Sequence, residues 1–167
     1  MIEIREVRIE DIEKFNDLLN SICKERLYLG FLDGIPLEEH RSFVKNVIRK
    51  DLPQVMAVSN SEVVGWCDVL PNSVKGFTHT GQLGMGVAKT YRSQGLGSKL
   101  LSSCLEAARL YGLEKVELEV YTDNTPACRL YEQHGFFVEG LKSKSRKIDG
   151  KYQDIQLMGL WLNAENA

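Results

Sequence analysis

The chain predicts a mixed α/β fold, a central sheet with helices on its faces. Three observations predict it. Strand-like alternation and helical periodicity succeed one another in the order β-α-α-β-β-β-α-β-α-β-β. Helices separate some strands while tight turns join others, which puts parallel and antiparallel neighbours into one sheet. The 167 residues, 43% of them hydrophobic, suffice for one core, and no repeat, linker or low-complexity tract divides them, so residues 1–167 are expected to form a single domain.

Residues 2–7 alternate apolar and charged side chains, a first strand. Asp11 is placed to cap a helix carrying Ile12, Phe15, Leu18, Leu19 and Ile22 on one face. The loop at 25–33 is rich in apolar and aromatic groups, which either line a pocket or plug the core. Pro36 opens a second helix with Phe43, Val44, Val47 and Ile48 inward, and Pro53 ends it. Residues 54–58 and 63–70 read as a hairpin turning at Asn60-Ser61, and residues 79–87 as the fourth strand. A third helix from about Gly95 to Leu110 buries Leu96, Leu100, Leu101, Cys104, Leu105 and Ala108 and stops at Gly112. Val116, Leu118 and Val120 alternate with Glu117, Glu119 and Tyr121 in the fifth strand. Asn124 or Thr125 caps a short helix with Pro126 in its first turn, ending at Gly135. Two closing strands meet at Asp149-Gly150, a hairpin dipeptide.

The net charge of −2 provides no field that would draw nucleic acid or a membrane surface. Cys23, Cys67, Cys104 and Cys128 are far apart and form no C-x-x-C pair, so no zinc or other metal site is expected and a reducing, cytoplasmic setting is. The charged, alternating start is unlike a signal peptide, and no apolar run reaches the length of a membrane span.

Residues 83–101 carry the strongest chemical signal. A strand ending at Val87 turns through Lys89-Thr90-Tyr91 into Arg92-x-x-Gly95-x-Gly97, where a helix begins. Small residues let backbone N–H groups approach an anion, and the helix dipole favours negative charge there; a pyrophosphate is the expected ligand. The order Gly97-Ser98-Lys99 breaks the P-loop pattern, and Leu100 stands where a dinucleotide fingerprint needs its third glycine.

Three stretches in fixed order then resemble the GNAT superfamily of acetyl-CoA-dependent N-acetyltransferases. They are Gly84-Met85-Gly86-Val87 with Arg92-Ser93-Gln94-Gly95-Leu96-Gly97, Leu118-Glu119-Val120 leading to Asn124, Ala127, Leu130 and Tyr131, and Tyr131-Glu132-Gln133-His134-Gly135-Phe136. The ending Asp149-Gly150-x-Tyr152-x-Asp154 is similar to bacterial members acting on amino acids, related small amines or phosphinothricin. The resemblance implies a mostly antiparallel sheet of about seven strands with four flanking helices. It implies acetyl-CoA as co-substrate, no metal, and an amine acceptor that is a small molecule or amino acid. A protein N-terminus or lysine is the rival acceptor, and a non-catalytic acyl-CoA sensor the rival function; a homodimer, common among relatives, stays open. It also implies that the backbone near Met85 and Val87 holds the pantetheine arm. The pyrophosphate would rest on Arg92, Gln94, Gly95, Leu96, Gly97 and Ser98, with Lys89 or Lys99 as further cations, and Asn124 would touch the arm.

Acetyl transfer to an amine needs a neutral amine and a protonated or stabilised leaving thiolate. Tyr131, whose phenol has an ordinary pKa of about 10, is the candidate acid; the resemblance puts it beside the sulfur. Glu119 is the candidate base, because a carboxylate on a central strand covered on both faces is costly without a task and burial raises its pKa. Relatives that acetylate a ribosomal protein N-terminus carry a glutamate at the same distance, twelve residues before the tyrosine. His79 and Asp68 are rivals for the base, and Glu117, on the same face, could pair with a lysine or arginine on a helix. The basic row Lys142, Lys144, Arg146 and Lys147 reads as edge protection.

Overall fold

The computed structural model describes residues 1–163 and shows the expected element order. β1 (Ile2–Glu6) leads to α1 (Ile12–Lys24) and α2 (Leu37–Arg49). Then come β2 (Gln54–Ser59), β3 (Glu62–Pro71), β4 (Thr80–Val87), α3 (Leu96–Tyr111), β5 (Lys115–Tyr121), α4 (Thr125–Gln133), β6 (Phe137–Ile148) and β7 (Lys151–Trp161). The strands form one sheet in the order β1-β2-β3-β4-β5-β7-β6, antiparallel everywhere except between β4 and β5. Both predicted hairpin turns put two consecutive residues at positive φ: Asn60 and Ser61 at 50° and 65°, Asp149 and Gly150 at 49° and 78°. That backbone follows the right-handed twist of the strands it joins.

Strand alternation sorts the core into two layers. Cys67, Val69, Leu83, Val116, Leu118 and Val120 face α3, where Leu100, Leu101 and Cys104 are fully buried, and this layer continues to Tyr131 and Phe136 at α4. On the opposite face Met56, Val63 and Trp66 pack against Phe15, Ile22, Val44 and Val47 of α1 and α2. β6 forms a sheet edge, which is where its row of cations was expected to lie.

Two helix details differ from expectation. Asp11 does not cap α1. Its carboxylate turns back, accepts from the Arg8 backbone N–H at 2.8 Å and is forked by Arg5 at 2.7 and 2.8 Å, because a nearby guanidinium offers two charge-assisted bonds where the cap offers one. Ile48 is exposed, and His40 takes the inward position one turn before Val44, bonded to Asn16 and edge-on to Phe15. Among the described residues no helix is long and apolar enough to cross a membrane.

Candidate active site

β4 and β5 pair only through Thr80–Lys115, Gly81–Val116 and Gln82–Glu117. Beyond these the two strands diverge, and a cavity of about 690 Å³ fills the split, bounded by Leu83–Val87 and Glu119–Tyr121. Its walls come from both sides of the sheet. Ile22, Tyr28, Leu29 and Gly30 belong to the α1 side, while Gly97, Ser98, Leu130, Tyr131 and Gln133 belong to α3 and α4. The volume lies within the ordinary range for small-ligand clefts.

At one mouth stands the N-terminus of α3. No side chain caps it. Ser93 at φ 58° and Gly95 at φ 78° wind the preceding loop through the left-handed region, and nothing lies within 4 Å of the Cβ position on Gly95, so its glycine answers to conformation rather than space. Unpaired N–H groups and the positive end of a sixteen-residue helix thus face the cavity, which fits a pyrophosphate group. Ser98 contributes less as a side chain than as backbone. His134 Nδ1 sits 2.9 Å from the Leu130 carbonyl, which can only accept, so Nδ1 carries the hydrogen. Nε2 on the other side of the ring is within hydrogen-bond distance of the Ser98 and Ser102 hydroxyls, at 3.1 and 3.3 Å.

The structure brings Met85, Val87, Arg92, Gly95, Gly97, Ser98, Glu119, Asn124 and Tyr131 to one cavity. Gln94 and Leu96 do not line it, because Gln94 donates to the Thr90 carbonyl at 2.8 Å and Leu96 is buried under α3; only their backbone amides remain for a phosphate. Lys89 and Lys99 do not line it either. Asn124 accepts from the Ala127 N–H at 3.4 Å as N-cap of α4 and also reaches the cavity.

Arg92 needs a correction. Its guanidinium is not free for phosphate but is forked on Glu25 at 2.6 and 2.8 Å, donates to the Val87 carbonyl at 2.8 Å and lies over Tyr28. It bolts the loop after α1 to the end of β4, and Arg146 holds the same loop from β6 through the Leu27 and Leu29 carbonyls. That fixes Tyr28 and Leu29 in the cavity wall, while Leu27 and Phe31 turn outward. Arg92 holds the Glu25 carboxyl below its ordinary value of 4.5. A depressed carboxylate adds stability above its unfolded value and loses it as pH falls through the folded one. Glu25→Gln is therefore expected to cost about 1–2 kcal/mol near neutral pH. In paired thermal melts the difference should begin to shrink below pH 4.5 and vanish once the pH has passed the lowered folded value.

Glu119 also differs from expectation. The face of β5 it occupies is open, its side chain is 44% exposed, and it pairs with Lys142 of β6. The premise of a buried carboxylate therefore fails, although Glu119 does line the cavity. Glu117 pairs with Lys115 of its own strand at 2.9 Å rather than with a helix. His79 stacks on Trp161 away from the cavity. Asp68 is 7% exposed, and burial pushes its carboxyl up to about 7.

Tyr131 is buried, with its ring edge-on to Phe136 at 5.7 Å, and its hydroxyl has no hydrogen-bond partner among the described residues. Desolvation raises its pKa further above the ordinary 10, so it keeps its proton at neutral pH. Sequence reasoning missed Arg129 and Gln133 as cavity residues. With Pro126 and Leu130 they follow an i, i+3, i+4, i+7 stripe along α4, the signal that could have found them.

The family model for the acetyltransferase (GNAT) family matches residues 18–136. The L-amino acid N-acetyltransferase AaaT of Escherichia coli (strain K12) is 27% identical over 158 residues, covering 94% of this chain and 96% of that protein. Among solved structures, an acetyltransferase of GNAT family from Streptococcus pneumoniae superposes with a TM-score of 0.90 at 30% identity, over 96% of this chain and 99% of that one. A GNAT superfamily phosphinothricin acetyltransferase from Sinorhizobium meliloti, solved in complex with AcCoA, shares the fold at a TM-score of 0.90 and 15% identity, covering 97% and 89%. A split sheet beside an uncapped helix, the matching family model and these likenesses agree: the chain belongs to the GNAT family and is an N-acetyltransferase.

Proposed function

We propose that this protein transfers an acetyl group from acetyl-CoA to the primary amine of a small, apolar, amino-acid-like acceptor, by direct attack while both are bound. The observation that carries the reading is the cavity through the β4–β5 split, which joins the uncapped N-terminus of α3 to Tyr131 on one face and to a carboxylate-bearing, apolar pocket on the other. The α3 amides hold the pyrophosphate, and the edge of β4 at Met85 and Val87, which β5 leaves without a strand partner and where only the Val87 carbonyl is taken by Arg92, runs beside the pantetheine arm, with Asn124 opposite. Tyr131 donates its proton to the departing sulfur. Cys128 plays no covalent part; it is partly buried and its thiol points to the Tyr121 carbonyl.

The acceptor side is walled by Ile22, Tyr28, Leu29, Tyr121 and Ile155, with Glu119 as its carboxylate. Such a wall favours an aliphatic or aromatic side chain, and Glu119 attracts the ammonium. The relative named for L-amino acids supports the same acceptor class. The free thiols, three of them buried, support a reducing compartment.

The test is CoA release from acetyl-CoA with a panel of the standard L-amino acids, simple alkylamines and short peptides. Apolar amino acids are expected to lead; turnover of peptides alone would move the acceptor to protein N-termini. Glu119→Gln is expected to raise the KM for the amine roughly tenfold with kcat within about threefold, the mark of a group that binds rather than reacts.

A further inference from the structure

Resting on the acetyltransferase reading, we propose that Asp68 of β3, reaching over Gly84, is the group that takes the ammonium proton of the acceptor.

Asp68 and Gly84 are direct partners in the β3–β4 register. Both project to the α1 side of the sheet, since their chain neighbours Cys67, Val69, Leu83 and Met85 belong to the α3 layer. Glu119 projects the same way, between Leu118 and Val120. Carried past Gln82–Glu117, the β4–β5 register would bring Gly84 opposite Glu119, so Gly84 stands at the floor of the split with a carboxylate on either side.

The residue on this floor has no side chain, and that matters. A Cβ on Gly84 would lie 3.2 Å from Asp68 Oδ1. Gly84 lines the cavity and Asp68 stands directly behind it, so the bare backbone leaves a path from the cavity to Oδ1 that a side chain would close. The other oxygen, Oδ2, accepts from Gln54 Nε2 at 3.1 Å; Oδ1 has no hydrogen bond among the described residues. A side chain more than nine-tenths buried, with one carboxylate oxygen unpaired beside a cavity wall, is costly unless a ligand supplies the donor.

The surroundings set its basicity. Asp68 has no Lys, Arg or His partner among the described residues. Gln54 comes from β2; Cys67 and Cys104 lie on the far face; His40 of α2 is bonded to Asn16. Glu119, across the split, is paired with Lys142 through one of its two carboxylate oxygens. Burial without a countercharge pushes the carboxyl up to about 7, suited to accepting a proton at neutral pH.

The protons balance. The ammonium gives one to Asp68, and the neutral amine attacks the thioester carbon from the α1 face. The carbon–sulfur bond breaks as the new carbon–nitrogen bond keeps its place. The sulfur leaves with the Tyr131 proton, the second proton lost by nitrogen restores Tyr131, and Asp68 returns its own to solvent.

Two variants test this with the whole chain and the fastest amine of the amino-acid panel. In the unaltered protein kcat/KM for the amine is expected to fall on acidification below about pH 7. Asp68→Asn, nearly isosteric and able to keep the Gln54 bond, is expected to lose roughly 100-fold in kcat/KM at neutral pH, to lose that acid limb, and to recover as pH approaches the pKa of the amine. Acetyl-CoA affinity should hold. Because ionising Asp68 opposes folding above its unfolded value, the melting temperature of the variant at pH 8 should equal or exceed that of the parent; a merely structural aspartate would lower it. Gly84→Ala leaves Asp68 in place but closes the gap, and should raise the amine KM at least about tenfold. An unchanged pH profile in Asp68→Asn, or unaltered kinetics in Gly84→Ala should the first variant not fold, overturns this assignment alone. No CoA release by the unaltered protein would overturn the acetyltransferase reading itself.

Discussion

Tyr131→Phe is expected to lower kcat by about 100-fold while the acetyl-CoA Kd stays within about twofold. Phenylalanine keeps the edge-on contact with Phe136 and the fill between α4 and the sheet, so the fold has little to lose. The hydroxyl has no partner among the described residues, so its removal breaks no structural hydrogen bond. What goes is the phenolic proton on the α4 side of the cavity, the one proposed to reach the leaving thiolate. Burial raises the phenol's pKa, so no titration of Tyr131 limits the rate near neutrality, and the loss should be the same across that range. Single-turnover CoA release, read beside equilibrium binding of acetyl-CoA, separates the two quantities. A kcat within about threefold of the parent would end the assignment of Tyr131 as the acid.

Gly97→Asp should sharply weaken acetyl-CoA binding without unfolding the protein. The Cβ position on Gly97 has Leu130 at 3.4 Å and Met85 at 3.7 Å, ordinary contacts, so the side chain can be accommodated. A carboxylate in the first turn of α3 complements the dipole, so melting temperature should hold or rise. For a pyrophosphate the effect is the reverse. Two unit charges about 4 Å apart repel by about 4 kcal/mol near a protein surface, and the new carboxylate also competes for the same amides. An affinity loss of 100- to 1000-fold is the expected result by calorimetry. Tight binding by this variant would mean that the phosphates rest elsewhere.

The framework of this chain was legible because local chemistry and global fold agree in it. Asn60-Ser61 and Asp149-Gly150 could do little except turn a hairpin, and Leu100, Leu101 and Cys104 mark one helical face at its proper spacing. Asn124, Gly95 and Tyr131 were legible for the same reason, each being tied to a turn, a cap or a helix end. The misreadings share a cause. Arg92 and Glu25 lie far apart in the chain, so nothing local shows that they meet and take each other's charge. Glu119 departs from a strand's usual burial because α1 and α2 pack on Met56, Val63 and Trp66 of β2 and β3 and leave that face of β5 uncovered. Asp68 shows the converse: its meaning depends on what Gly84 lacks on a neighbouring strand, a relation that exists only once register is set.

The short β4–β5 pairing also bears on how the sheet holds together. β1 to β4 form one leaf and β5, β7 and β6 another, hinged on three residue pairs, with the side chains of α3 pinned across both. Past the hinge, the facing peptide edges of Leu83–Val87 and Leu118–Tyr121 have no strand between them, and only the Val87 and Tyr121 carbonyls at their ends are taken, by Arg92 and the Asn124 N–H. A guest chain that carries amides of its own can act there as a temporary eighth strand and suture the leaves.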